Sequence, residues 1–164
     1  PNGSSEPKEL PVVNSQIYFT AWTPASGREL WVTDGTLSGT VLVKDIRVGI
    51  AASSNPQGLV ASGNRVFFSA DNGVDGRELY RSAGGVTTQI RDIAPGSTSS
   101  DPRDLVVAGP RVYFSAFHPT SGRELWRTDG STAGTVLVKD IAAGTASSNP
   151  LELTAWNDNL VFTA

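Results

Sequence analysis

Three observations predict an all-β fold of β-propeller-type blades, each blade made of four antiparallel strands. The phrase Gly-Arg-Glu-Leu-aromatic recurs at Gly27 to Trp31, Gly76 to Tyr80 and Gly122 to Trp126. Pro7, Pro56, Pro102 and Pro150 follow one another at intervals of 49, 46 and 48 residues, each 3 residues ahead of a leucine (Leu10, Leu59, Leu105, Leu153). Between these markers β-branched and aromatic residues are dense, and no window has helical spacing. A repeat of this length holding four short strands is one blade, and blades stack face to face. A β-sandwich is the runner-up, but it does not predict a recurring unit.

Each unit opens on Ser-Ser-(Asn, Asp or Glu)-Pro, as in Ser53 to Pro56 and Ser99 to Pro102. The small polar residues favour a turn, and the proline biases its predecessor toward an extended backbone. A short apolar run follows, Leu59 to Ala61 or Leu105 to Ala108, then a polar step, then Arg65 to Ala70 or Arg111 to Ala116. In that second run Val66, Phe68 and Ala70 alternate with Phe67 and Ser69, so both faces of the strand carry bulk. The third run is the Gly-Arg-Glu-Leu-aromatic phrase. It leads through Thr33-Asp34-Gly35-Thr36 into Thr40 to Ile46, and through Thr128-Asp129-Gly130-Ser131 into Thr135 to Ile141. Asp-Gly between β-rich runs signals a hairpin, because glycine accepts positive φ and aspartate bonds its own backbone.

The boundaries give a single repeat domain over 1–164, with units 4–52, 53–98 and 99–146 and a half unit 147–164, or 14 strands in three and a half blades. Such an arc leaves an apolar sheet face and edge uncovered. Self-assembly through Leu153, Trp156, Leu160 and Phe162, with identical chains or with remaining blades of a longer parent, is therefore expected. The absence of Met suggests that residue 1 is not a translation start.

Composition narrows the partners. A net charge of -3, with 13 basic residues spread singly, gives no footprint for nucleic acid or an anionic membrane. No apolar stretch approaches the roughly 20 residues that span a bilayer, so membrane insertion is not expected. The chain has no Cys, which removes disulfides, thiolate metal sites and cysteine nucleophiles.

Glu29 to Thr36, continuing from Gly39 to Ile46, resembles the bacterial ELWxxDGT repeat family, and Glu124 to Ser131 with Gly134 to Ile141 matches nearly as well. The middle unit, Glu78 to Gly85, departs by losing the Asp-Gly turn, so a tighter hairpin is expected there. The resemblance covers almost the whole chain. It implies propeller-like repeats, an extracellular or bacterial cell-surface location and no defined catalytic activity.

The recurring charges are Arg28-Glu29, Arg77-Glu78 and Arg123-Glu124 on the third strand, with Lys44-Asp45, Arg91-Asp92 and Lys139-Asp140 on the fourth. Paired carboxylates could serve glycoside hydrolysis. A catalytic pair is needed once, however, and recurrence in every unit argues instead for a structural network pairing Arg or Lys with a carboxylate of the neighbouring strand. Asp71-Asn72-Gly73-Val74-Asp75-Gly76 resembles a calcium loop, with Asp71 and Asp75 as the candidate ligands, although a plain turn is favoured and no other cofactor is expected. His118, the one histidine, reads as a loop residue. Trp22 and Phe117 lie just beyond a strand end, where they could stack on a glycan or staple the loop. Trp31, Tyr80 and Trp126 read as packing between blades. The leading expectation is a non-enzymatic structural and assembly module that self-associates into a closed ring or a filament. The alternative is a carbohydrate-binding propeller with one weak site per blade.

Overall fold

The computed structural model describes residues 4–164, and every regular element in it is a β-strand. β1 (Val12–Val13), β2 (Gln16–Thr23), β3 (Gly27–Thr33) and β4 (Val41–Lys44) form the first sheet. β5 (Gln57–Ser62), β6 (Arg65–Asp71), β7 (Arg77–Ala83) and β8 (Val86–Arg91) form the second. β9 (Arg103–Ala108), β10 (Arg111–His118), β11 (Gly122–Thr128) and β12 (Val136–Lys139) form the third, and β13 (Leu151–Trp156) pairs with β14 (Asn159–Thr163) in a two-stranded sheet. Strands lie in sequence order with antiparallel neighbours, so each four-stranded sheet is a blade.

Cores form between blades because each central strand buries both faces. Val66, Phe68 and Tyr80 of blade two pack with Tyr18, Leu30 and Val32 of blade one. Phe67, Leu79 and Ile90 on its other face pack with Val112, Phe114 and Trp126 of blade three. Phe68 stacks on Tyr80 at 5.9 Å between ring centroids.

Register sets the third strand against the second identically in all three blades. Phe19 faces Trp31, Phe68 faces Tyr80 and Phe114 faces Trp126. Two residues on, Ala21, Ala70 and Ala116 face Glu29, Glu78 and Glu124, and the small alanine leaves room for the carboxylate.

Three local expectations are corrected. The residue before each unit-opening proline is not extended: Glu6, Asn55, Asp101 and Asn149 have φ of 42, 46, 49 and 50°. Asn and Asp tolerate this left-handed region, and there the backbone N–H groups of Asn55, Asp101 and Asn149 reach the carbonyls of Arg28, Arg77 and Arg123. Asp34-Gly35 does not make a tight hairpin turn but opens the loop from β3 to β4, where Asp34 Oδ1 accepts from Thr36 N and Oγ1. The tight turn belongs to blade two, where Gly84 and Gly85, at φ of 55 and 82°, join β7 to β8. Trp22 and Phe117 sit inside β2 and β10 rather than beyond them, because those strands stay paired with β3 and β11 as far as Thr23 and His118.

Candidate functional site

The repeated Gly-Arg-Glu phrase is where each blade is joined to the next. Its glycine has positive φ at Gly27, Gly76 and Gly122 (66, 72 and 64°), and a Cβ there would strike the backbone or serine of the following unit's inlet turn. This contact lets the next backbone N–H, of Arg28, Arg77 or Arg123, donate to the first serine of that turn: Ser53, Ser99 or Ser147 Oγ, at 2.9, 2.9 and 2.8 Å.

The glutamate reaches forward to the second serine. Glu29 accepts from Ser54 N (2.8 Å) and Ser54 Oγ (2.6 Å), and from Ile46 N (3.2 Å). Glu78 accepts from Ser100 N and Oγ (2.9 and 2.6 Å) and from Ile93 N and Ala94 N (3.0 and 3.3 Å). Glu124 repeats the set with Ser148 N and Oγ (2.9 and 2.6 Å), Ile141 N (3.1 Å) and Ala142 N (3.2 Å).

The arginine reaches back to its own unit's inlet turn. Arg28 Nη1 donates to Glu6 O (2.9 Å), Arg77 Nη1 to Asn55 O (2.8 Å) and Arg123 Nη1 to Asp101 O (3.0 Å). The inlet turns at Ser54-Asn55 and Ser100-Asp101 are thus held from both sides, by the glutamate of the blade before and the arginine of their own blade.

All three glutamates are fully buried. Burial pushes the carboxyls of Glu29 and Glu78 above the ordinary range, even against the bonds from Ser54 and Ser100. Burial also raises Glu124, but only β13 and β14 lie beyond it. The bonds from Ser148, Ile141 and Ala142 together outweigh that effect, and its carboxyl is held below the ordinary range.

The pairing expected between recurring acids and bases is corrected. Glu29, Glu78 and Glu124 take backbone N–H and serine hydroxyl donors instead of Arg or Lys, since their oxygens face the inlet turn while the arginines face the other way. Arg28 and Arg123 do meet carboxylates, but these are the non-recurring Glu6 and Asp101, at 3.3 and 3.4 Å. On the fourth strand Lys44 Nζ donates to Thr87 O (3.2 Å) and Arg91 Nη1 to Thr135 O (2.8 Å), each a carbonyl of the next blade. Lys139 is exposed. Asp92 and Asp140 accept from Gly96 N and Gly144 N within their own turns, and Asp45 Oδ1 is buried without a hydrogen-bond partner.

The candidate calcium loop is closed by its own bonds. Asp71 accepts from Gly73 N at Oδ1 and from Arg47 Nη1 at Oδ2 (2.9 Å), and Asp75 accepts from Asn72 Nδ2. Among the described residues no group of three or more His, Cys, Asp or Glu is placed to hold a metal. His118 Nδ1 is engaged by Thr120 N and Oγ1.

Sequence reasoning missed the serines of the clasp. The signal was present, since Ser54, Ser100 and Ser148 follow Glu29, Glu78 and Glu124 by 25, 22 and 24 residues. As a sequence pattern Ser-Ser signals only a turn.

No family model matches this chain, and no curated protein does. Among solved structures it is similar to an endo-arabinase from Bacteroides thetaiotaomicron VPI-5482, at 12% identity and a TM-score of 0.41, over 93% of this chain and 66% of that one. The chain therefore spans slightly less than two thirds of that enzyme's length.

Proposed function

We propose that this chain is a non-enzymatic structural and assembly module, part of a secreted or cell-surface bacterial protein of ELWxxDGT-type repeats, that works by joining copies of itself end to end. One observation carries this reading: the same clasp joins each sheet to the next, so one repeated contact can add a further blade, whether of a longer parent or of a second copy. Among the described residues the turn at Ser5-Glu6 is held by Arg28. The turn at Ser148-Asn149 is held by Glu124.

The sheet faces agree with it. Phe68 and Phe114 are fully buried, whereas their counterparts Phe19 and Phe162 in the terminal sheets are only half buried. On the last sheet the expectation is corrected at Leu153, which is buried within this chain, and Leu160 is half buried, while Trp156 and Val161 are 67% and 53% exposed and are left for the assembly face. Covering such a surface yields about 25 cal/mol per Å² of apolar area. Hydrolysis by the repeated glutamates has no support, because their oxygens are buried and occupied by donors. Trp22 and Phe117, the residues of the alternative reading with one glycan site per blade, are half-buried strand residues, and blade two carries Asp71 at that position.

Light scattering over a concentration series tests the proposal. Oligomers are expected, and Val161→Lys on the exposed face of β14 should reduce them to single chains. A parent chain that stays monomeric at high concentration would sink it.

A further inference from the structure

The cleft between blades two and three holds a polar groove that neither the clasp nor the cores use. Arg65 on β6 and Arg81 on β7 share the face of blade two that looks toward blade three, since Arg81 is the cross-strand partner of Phe67, two residues beyond Arg65. Arg65 is fixed there: its Nη1 donates to Asp129 O at 2.7 Å. Gly130, at φ 90°, lies so close that a Cβ would sit 2.6 Å from the same nitrogen.

Arg81 is half buried and has no hydrogen-bond or ion-pair partner among the described residues. The nearby Asp129 does not neutralise it, because that carboxylate is turned into its own loop, where Oδ1 accepts from Ser131 N and Oγ. These bonds hold its carboxyl below the ordinary range, with Arg65 adding the charge contribution.

Three cavities of about 270, 360 and 300 Å³ meet along this line, the first two sharing Arg65 and Asp129 and the last two sharing Arg81, Gly130 and Ser131. Their combined length suits an extended ligand better than a compact one. Asn64 and Thr88 line the walls with polar side chains that can bond hydroxyl groups, and Ser131 and Thr132, whose hydroxyls donate to Asp129 and to Ile90 O, can still accept from them. A guanidinium fork matches a carboxylate in two parallel bonds. Two arginines against one aspartate leave a single net positive charge, which suits carboxylates spaced along a sugar chain better than a polyphosphate.

We infer that this groove binds an acidic, uronate-type oligosaccharide, with Arg81 gripping a carboxylate and the hydroxyl and amide side chains of the walls holding the sugar. The site belongs to this junction. At the junction of blades one and two the corresponding positions are Gln16 and Val32, and the facing turn is the short Gly84-Gly85. On blade three Arg111 and Arg127 repeat the pair, but among the described residues no turn equivalent to Asp129-Gly130 faces them. The inference goes beyond the assembly reading and stands whatever the oligomeric state.

Calorimetric titration of the purified chain tests it with three probes: an oligogalacturonate, a neutral galactose oligomer of equal length, and inorganic phosphate. The oligogalacturonate should bind, and more weakly as salt is added, while the neutral oligomer and phosphate should not compete with it. Arg81→Ala should weaken binding by about tenfold or more, Arg81→Lys should retain part of it, and Arg127→Ala should leave it within about twofold, one lost charge-assisted bond being the difference. Equal denaturant midpoints for parent and Arg81→Ala would assign the loss to the groove. The inference is overturned by no uronate binding to the parent, by parent-like binding in Arg81→Ala, by an equal loss in Arg127→Ala, or by equal binding of either control probe.

Discussion

Glu78→Gln separates the clasp from an ordinary surface pair. Glu78 Oε1 accepts from Ser100 N and Ala94 N, and Oε2 accepts from Ser100 Oγ and Ile93 N. The substituted amide keeps one oxygen and turns its NH₂ toward the remaining donors, so two buried donors lose their acceptor. Each such orphan costs about 1 to 3 kcal/mol. Removing a charge whose ionisation burial opposes returns part of that, leaving an expected loss of about 2 to 4 kcal/mol. Glu124→Gln should cost less, about 1 to 2 kcal/mol, because its donors come from the exposed Ile141 and the half-buried Ala142 and Ser148, where water can reach the freed groups, whereas Ile93, Ala94 and Ser100 are buried. Urea unfolding followed by tryptophan fluorescence, at a concentration where both variants have the parent's assembly state, measures the difference. A Glu78→Gln curve superimposable on the parent's, or a Glu124→Gln variant the less stable of the two, would refute the reasoning.

Further outcomes follow from the same geometry. The carboxyl of Glu78 is raised in the folded chain, so its contribution is greatest at acid pH and declines as pH rises above the unfolded value near 4.5. That of Glu124 is lowered, so its contribution is full above 4.5 and is lost as pH falls. The cost of Glu78→Gln should therefore shrink, and that of Glu124→Gln grow, between pH 3 and pH 7 in paired unfolding curves; parallel slopes would contradict the assignment. Gly76→Ala should lose more than Gly84→Ala, although both sit at positive φ worth about 1 to 2 kcal/mol of strain to alanine. The reason is that a Cβ at Gly76 falls 2.8 Å from Ser99 Oγ and 2.9 Å from Ser99 N, while nothing lies within 4 Å at Gly84; thermal melts of the two variants rank them. Phe68→Ala should cost about 3 to 5 kcal/mol, because its ring is fully buried between blades one and two, and a loss below about 1 kcal/mol in urea unfolding would place it outside the core.

The sequence by itself determined the fold class, the number of strands and the two-faced burial of the central strands. These depend on period and on local chemistry, and both are written along the chain. Val66, Phe68 and Ala70 alternating with Phe67 and Ser69 already require a sheet buried on both sides, and the lost Asp-Gly of the middle unit already implies a tighter turn. The partners of the recurring charges were decided by tertiary structure alone. Arg28 and Glu29 are adjacent in sequence, but strand geometry sends neighbouring side chains to opposite faces, so the arginine meets its own unit's inlet and the glutamate the next unit's. Which serine each carboxylate meets depends on how one blade lies on the next. Neighbouring third strands and inlet turns are brought together across 22 to 25 residues of chain, a separation over which no local rule operates. The groove at Arg81 lies further still from the sequence, because one wall is a face of blade two and the other a turn of blade three.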